Sequence, residues 1–191
     1  SITSTQKGLK GISFGNFLIK RVVNELSKEF VNLKFYATLS PIPYFRKWLE
    51  NYLLNNDDVL TLKEGEKIKK IAKTFSANEG LLEILNSNWY QFKGKTAAIK
   101  IPLLRLCSQY LVNERKGGRA FDPVAHFHLS NGAKVQHINW MADLSEKGLR
   151  QSAGMMVNYH YLLNKIVSNH EDYFSEGKVF ASREVRNLLV K

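Results

Sequence analysis

The sequence predicts an α/β fold in which strands and helices mix around one core. Segments with strand-like alternation of apolar residues, 33–39 and 134–140, occur in the same chain as segments with apolar residues at helical spacing, 17–30 and 45–53. The 191 residues, 44% of them hydrophobic, are enough for one well-packed core. The sequence therefore predicts a single globular unit, which leaves room for additional helices.

The chain opens on a glycine-rich segment that leads into a helix. Gly8, Gly11 and Gly15 precede an amphipathic run over residues 17–30. A loop that opens onto a helix N-terminus offers unpaired backbone N–H groups to an anion. Its spacing fits neither a Walker loop nor a dinucleotide-binding fingerprint. Positive charges lie nearby in the sequence at Lys7, Lys10, Lys20 and Arg21.

A strand over residues 33–39 is predicted to end at a Ser-Pro-Ile-Pro segment, because each proline removes a backbone donor and keeps the preceding residue extended. A hydroxyl between the strand end and this stiff loop would be held rigidly, which favours a functional role for Ser40. The alternative is that Ser40 is an ordinary cap or turn residue. A helix follows, with an apolar face made of Phe45, Trp48, Leu49, Tyr52 and Leu53.

The middle third of the chain is predicted to be helical, and its sequence shows no catalytic or ligand-binding motif. Short helices are expected at 66–75 and 78–85, and a buried helix is expected at 102–111, beginning at its proline. Cys107 lies in this last apolar run, which indicates a buried structural thiol. A single cysteine excludes an internal disulfide and is typical of a reducing compartment. The basic run 115–119 that follows is predicted to be a flexible loop.

The stretch 122–132 is the most informative part of the chain. Its alternation predicts a strand that turns at an Asn-Gly pair into a hairpin and returns along residues 134–140. On such a strand His126 and His128 would share one face. An imidazole held there is suited to proton transfer, because it titrates near neutral pH. The alternative is that both histidines are ordinary half-buried strand residues.

Residues 143–146 resemble a helix start, with acidic side chains near the positive end of the helix dipole. The helix is predicted to run to about Val167, weakened by Gly148 and Gly154, and a last short helix or strand is expected at 184–190. No metal site is predicted, because the paired histidines have neither cysteine partners nor a His-Glu-x-x-His pattern.

The formal charge of +11 bears on the possible partners. Lysine and arginine recur along the whole chain, which argues against a disordered nucleic-acid-binding arm. A basic surface can serve nucleic acid, an anionic membrane or a polyanionic small molecule, or it can simply be solvated. No apolar run approaches the roughly 20 residues that are needed to span a bilayer.

Several segments carry a family resemblance: GNFLIKRVVNELSKEF, LSPIPYFRKWL, DPVAHFHLSNGA, INWMADLS and MMVNYHYLLN. Together they resemble the C-terminal catalytic region of malonyl-CoA decarboxylases, in the same order and over about Gly8 to Leu163. The resemblance implies a GNAT-like fold (the N-acetyltransferase superfamily), with a mixed central sheet flanked by helices and extra helices in the middle third. It also implies that residues 1–191 form the catalytic domain of a longer chain, whose helical N-terminal assembly domain is absent.

The resemblance also implies a reaction and a site. Malonyl-CoA would give acetyl-CoA and CO₂ without a metal or other cofactor, because a thioester can accept the electrons as an enolate. The family's catalytic serine falls at Ser40, its histidine at His128 and a supporting tyrosine at Tyr161, while His126 is the alternative proton donor. The glycine-rich segment is similar to the superfamily's pyrophosphate loop, with Ser13 where the decarboxylases often have an acidic residue. The residues expected to bind CoA are Lys10, Gly11, Ile12, Ser13, Phe14, Gly15, Asn16, Ser40 and His128.

Two other functions stay open at this point. A CoA-dependent acyltransferase of the same fold would need an acceptor groove, and a noncatalytic basic module would bind nucleic acid with salt-dependent affinity. The expected partner is a CoA thioester, with neither nucleic acid nor membrane, and a homo-oligomer is expected through the N-terminal helical domain. The expected compartment is the cytoplasm or the mitochondrial matrix, since residues 188–191 show no Ser-Lys-Leu peroxisomal signal.

Overall fold

The structure, a computed structural model, describes residues 14–189, with their side chains except at positions 14–18 and 20. The chain divides into two compact units, Ser1–Tyr36 and Ala37–Lys191. The described part of the first unit contains helix α1 (Phe14–Glu29) and the segment up to Tyr36. The hydroxyl of Tyr36 hydrogen-bonds the hydroxyl of Ser27, 2.7 Å away, which holds this segment to the helix.

The second unit contains strands and helices in mixed order, so the expected α/β class is confirmed. Its helices are α2 (Phe45–Asn55), α3 (Leu62–Ala72), α4 (Ala77–Leu85), α5 (Lys93–Val112), α6 (Pro123–Ser130), α7 (Glu146–Ser152), α8 (Ile166–Glu176) and α9 (Arg183–Asn187). Its strands are β1 (Ala37–Pro41), β2 (Arg115–Lys116), β3 (Arg119–Ala120), β4 (Lys134–Asn139) and β5 (Met156–His160). Within residues 14–189, no helix is long and apolar enough to cross a bilayer.

Strands β1, β5 and β4 form an antiparallel sheet in that order, with β5 in the centre. The register places Ser40 opposite Val157 and Ala37 opposite His160. A register shift between Val135 and His137 marks a bulge in β4. The predicted strand at 33–39 is therefore four residues too early at its start, and Ser40 lies within the strand instead of just after it.

The extra helices expected in the middle third are confirmed as α3, α4 and α5. Thr61 and Glu64 form a capping box at the start of α3. The carboxylate of Glu64 also accepts a bond from the guanidinium of Arg105 on α5, at 2.6 Å, and both side chains are largely buried. The guanidinium of Arg105 also donates a hydrogen bond to the carbonyl of Val59. Together these contacts hold α3 against the long helix α5.

Helix α5 corrects one boundary, because it begins at Lys93 and not at Pro102. Proline inside a helix removes one backbone hydrogen bond and usually disfavours the helix. Here Ile99, Leu103 and Leu106 are all fully buried around the proline, so packing outweighs the local cost.

The helix predicted from 143 to about 167 is also wrong beyond its first turns. Its start is confirmed, since the hydroxyl of Ser145 accepts the N–H of Gly148 and caps α7. The helix stops at Ser152, because Ala153 and Gly154 both take positive φ, 51° and 77°. The chain then forms the central strand β5. The basic run 115–119, predicted to be a flexible loop, forms the tight hairpin β2–β3.

Candidate active site

Helix α6 replaces the strand that was predicted over residues 122–130. Asp122 is its N-cap: Oδ1 accepts the N–H groups of Val124 and Ala125 at 2.9 and 3.0 Å. Pro123 follows at the first helical position, where a missing N–H costs nothing. The other carboxylate oxygen, Oδ2, accepts the hydroxyl of Tyr110 at 3.1 Å. Burial raises the pKa of Asp122, while these bonds favour its charged form.

The Asn-Gly pair ends this helix and does not make the predicted hairpin. A two-residue hairpin turn of that type needs positive φ at both residues. Asn131 has φ −95° and only Gly132 is positive, at 78°. A Cβ at Gly132 would overlap the backbone carbonyl of Ile166, so glycine is required by both its conformation and its packing.

Because α6 is a helix, His126 and His128 do not share a face. Two residues correspond to a rotation of about 200° around the helix axis. Nδ1 of His126 lies 2.8 Å from the hydroxyl of Tyr173 on α8. Nε2 of His128 lies 3.0 Å from Oγ of Ser40 on β1. The structure thus separates the two proposed proton donors into different environments.

A buried chain of hydrogen bonds passes through His128. Oγ of Ser40 is 3.0 Å from Oγ1 of Thr38, on the same face of β1, and 3.0 Å from Nε2 of His128. Nδ1 of His128 is 2.7 Å from the hydroxyl of Tyr161, just beyond β5. Ser40, His128 and Tyr161 are exposed by only 5%, 2% and 3%. Three residues far apart in the sequence therefore form one continuous polar path.

The site keeps His128 neutral in the free chain. Burial lowers the pKa of His128 from 6.5 to about 4, because the charged imidazolium loses its hydration. Burial likewise raises the pKa of Tyr161, so its hydroxyl stays protonated. The ring of Tyr159 is stacked on the imidazole, with 4.4 Å between centroids. The imidazole is therefore uncharged at neutral pH and its orientation is fixed by contacts on three sides.

Comparison with known proteins agrees with the resemblance seen in the sequence. The family described as "Malonyl-CoA decarboxylase C-terminal domain" matches residues 1–191. The chain belongs to the malonyl-CoA decarboxylase C-terminal domain family. The malonyl-CoA decarboxylase crystal structures from Rhodopseudomonas palustris and Agrobacterium vitis match this family member with TM-scores of 0.84, at 42% and 38% identity, over 98% and 99% of this chain.

Relatives of this malonyl-CoA decarboxylase family member include mitochondrial malonyl-CoA decarboxylases of Anser anser anser and Mus musculus. They are 42% and 43% identical over 99% and 100% of this chain. The chain covers only 39% and 40% of those two proteins, and 40% and 44% of the two crystallised chains. It thus corresponds to about two fifths of these relatives.

The structure brings together only part of the expected set of site residues. Ser40, His128 and Tyr161 lie together in the second unit of this family member. Lys10, Gly11, Ile12 and Ser13 of the expected CoA loop lie outside the described residues. Phe14, Gly15 and Asn16 form the first described turn of α1, so this part of the segment is helical and not a loop.

Sequence reasoning missed Thr38, Asp122 and Tyr159. The signal for Asp122 was present, since Asp followed by Pro before an apolar run is a helix start. Thr38 stands two residues before Ser40 and so shares its strand face. Tyr159 gave no signal of its own, because its contact with His128 depends on how the sheet and α6 pack.

Proposed function

We propose that this chain converts malonyl-CoA to acetyl-CoA and CO₂. One observation carries the proposal: Oγ of Ser40 lies 3.0 Å from Nε2 of His128, in a buried site. Membership of the malonyl-CoA decarboxylase C-terminal domain family supports the choice of substrate. The hydroxyl and the imidazole supply the two groups that the reaction needs, a carboxylate-binding donor and a proton donor.

The reaction has a simple electron and proton balance. The C–C bond to the carboxylate breaks, CO₂ leaves, and the electron pair moves through the α-carbon to the thioester oxygen as an enolate. The enolate then takes one proton at the α-carbon to give acetyl-CoA. One proton is consumed per turnover, and the thioester itself accepts the electrons, so the proposal assigns no cofactor.

Ser40 binds and orients the departing carboxylate. Its hydroxyl donates a hydrogen bond to one carboxylate oxygen, and the bond from Thr38 helps to fix the position of Oγ. A carboxylate held out of the thioester plane can leave while its electron pair overlaps the carbonyl. In a desolvated site such a positioned donor is worth far more than in water.

His128 supplies the proton through Nε2, the nitrogen that faces Ser40. It is neutral in the free chain, and a malonyl carboxylate beside it would raise its pKa, because an opposite charge favours the imidazolium. Binding therefore takes up one proton, which the enolate carbon later receives. The hydroxyl of Tyr161 stays at Nδ1 throughout and accepts Nδ1–H of both the neutral and the charged ring, so the proton that is gained and given up is the one at Nε2.

The segment Lys10 to Asn16 holds the pyrophosphate of CoA in this proposal. A helix start places free N–H groups and the positive dipole end at an anion, and Lys10 adds a full charge. Gly15→Val should weaken CoA binding in a folded variant by restricting the approach of the backbone. Equal CoA affinity of the folded variant and the parent, measured calorimetrically, would remove this segment from the site.

The proposal extends to assembly and location. The two mitochondrial relatives and the single buried cysteine support a reducing compartment, cytoplasm or mitochondrial matrix. We propose homo-oligomers that form through a helical domain outside this chain, as the resemblance implies. The expected partner is a CoA thioester.

The deciding experiment is incubation of the purified chain with malonyl-CoA and no acceptor. Acetyl-CoA, measured by liquid chromatography, and CO₂ should appear in equal amounts. Ser40→Ala should lower kcat on the order of 10²-fold, since one transition-state interaction is lost, with a smaller effect on binding. Absence of acetyl-CoA formation without an acceptor, or turnover that survives in folded Ser40→Ala, would contradict the proposal.

A further inference from the structure

A second cleft lies outside the Ser40–His128 site. It has a volume of about 720 Å³ and lies between α2, the hairpin β2–β3 and the start of α6. This volume is in the range of small-molecule sites. From α2 itself the cleft is lined by Lys47, Trp48 and Asn51; Lys47 and Trp48 lie four and three positions before Asn51, which places them beside it on the helix. Tyr44, the N-cap of α2, also lines the cleft.

The hairpin holds two cations against each other at the edge of this cleft. Lys116 and Arg119 are directly opposite in the β2–β3 register. Between them Gly117 and Gly118 have φ 58° and 77°, the values that a tight two-residue turn requires. Like charges at opposite positions of a strand pair destabilise it. The tight turn therefore keeps Lys116 and Arg119 opposite each other, and a bound anion would reduce the repulsion between them.

No carboxylate neutralises these cations within residues 14–189. The side chains of Lys47, Lys116 and Arg119 form no ion pair and no hydrogen bond with the described residues, and the residues lining the cleft include no aspartate or glutamate. One of them acts on a neighbouring group: the pKa of His126 is lowered by burial and by the charge of Arg119.

A cleft of about 450 Å³ elsewhere in the same unit shows the contrast. Its two arginines are paired with carboxylates, Arg46 with Glu50 at 2.6 Å and Arg150 with Glu146 at 3.0 Å. Unlike these two arginines, the cations of the larger cleft have no carboxylate partner among residues 14–189.

Aromatic side chains complete the larger cleft. Tyr44 is 50% exposed and Phe121 is 38% exposed, so each offers a ring to a ligand. Trp48 is nearly buried and closes the floor, where its ring stacks on Tyr52. Exposed rings beside cations suit a nucleoside phosphate, since bases stack on aromatic rings and phosphates bind lysine and arginine.

We propose that this cleft binds a phosphorylated nucleoside, with its base against Tyr44 and Phe121 and its phosphate at Lys116 and Arg119. The ligand has two possible sources with the same chemistry, the 3′-phosphoadenosine end of CoA or a free nucleotide. The inference uses the proposed function only in naming CoA as one source.

The test measures binding of adenosine 3′,5′-bisphosphate by calorimetry, which requires no turnover. Lys116→Ala/Arg119→Ala should raise its Kd about tenfold or more, because charged hydrogen bonds are lost. The matched control is Lys63→Ala/Lys70→Ala, which removes the same charge from exposed positions on α3. The control should bind like the parent chain.

A second variant tests the aromatic part of the ligand. Tyr44→Ala should raise the Kd for the bisphosphate about fivefold or more, through lost base stacking, and leave the Kd for inorganic pyrophosphate unchanged. Equal bisphosphate affinity of the Lys116/Arg119 variant and its control would overturn the proposal. So would a Tyr44→Ala chain that binds the bisphosphate like the parent.

Competition with CoA identifies the source, and both results support the cleft as a nucleotide site. If CoA displaces the bisphosphate and the Lys116/Arg119 variant weakens both, the cleft holds the nucleotide end of CoA. If CoA and ATP bind at the same time and only ATP is weakened, the cleft is a separate nucleotide site. Failure of decarboxylation would leave these binding results unaffected.

Discussion

The ring of Tyr159 lies almost parallel to the imidazole of His128, with 4.4 Å between centroids and 21° between planes. Phe127 meets the same imidazole edge-on, at 5.1 Å and 79°. Stacking from the central strand of the sheet removes one face of His128 from water. The lowered pKa of this histidine and its fixed orientation therefore have the same physical origin, its close packing against β5.

Removing the hydroxyl group should affect stability differently at the two tyrosines that contact His128. The Tyr159 hydroxyl is buried with no partner among the described residues, so Tyr159→Phe should leave the free energy of unfolding unchanged or raise it by about 1 kcal/mol. Tyr161→Phe leaves Nδ1 of His128 unpaired, so it should lower the free energy of unfolding by about 1–3 kcal/mol. Urea unfolding of both variants measures this. A destabilised Tyr159→Phe would show that its hydroxyl has a partner, such as a buried water.

The two histidines of α6 should differ in their effect on turnover. His128→Asn cannot act as an acid near neutral pH, and it should lower kcat by roughly 10²-fold to 10⁴-fold. His126→Asn alters a group that faces Tyr173, so its effect should be mild. Acetyl-CoA formation by both folded variants is the measurement. If His126→Asn proves the more damaging, the proton donor has been assigned to the wrong residue.

Stability should fall in mild acid because of His128. Its pKa is lowered from 6.5 to about 4, so between these values the unfolded chain binds a proton that the folded chain does not. Its contribution is intact above pH 6.5 and decreases by about 3 kcal/mol by pH 4. The measurement is the free energy of unfolding of the parent and of His128→Asn across this pH range. The difference between the two curves removes the contribution of the carboxylates that both chains share. Parallel curves would contradict the lowered pKa.

Asp122 should matter more than an ordinary helix cap. Asp122→Ala removes the bonds to two N–H groups and leaves the buried hydroxyl of Tyr110 unpaired. We expect a loss of about 2–4 kcal/mol in unfolding free energy. Ser145→Ala, which removes the exposed cap of α7, is the control and should cost about 1 kcal/mol. Similar losses in urea unfolding would show that Asp122 only caps α6.

Elements with local signals could be predicted from the sequence. The apolar face of α2, the short helices α3 and α4, and the cap at Ser145 all depend on residues within one or two turns. The strand β4 was predicted for the same reason, since its alternation is complete within six residues. In each case neighbouring residues alone decide the conformation.

Helix α6 could not be decided by periodicity. Its eight residues alternate in a way that suits a strand, and short apolar runs do not distinguish the two states. The helix is decided at its ends, by the cap at Asp122 and by the contact of Gly132 with Ile166. The first signal is local to the sequence, whereas the second depends on a residue 34 positions further along the chain.

The candidate site was found by resemblance, not by pattern. Ser40 and His128 are separated by 88 positions, and no local rule predicts that they hydrogen-bond. Their contact follows from the sheet register, which brings β1 alongside β5, and from the packing of α6 on that sheet. Thr38 and Tyr159 join the site through the same long-range arrangement.

The cap at Asp122 makes the length of α6 a property of the site. His128 lies six positions beyond its cap, about 9 Å along the axis at 1.5 Å per residue. One inserted or deleted residue between them would rotate the imidazole by about 100° away from Ser40. Substitutions in this segment change only individual contacts. The spacing between cap and imidazole is therefore the more stringent requirement, and the segment should accept new side chains more readily than a new length.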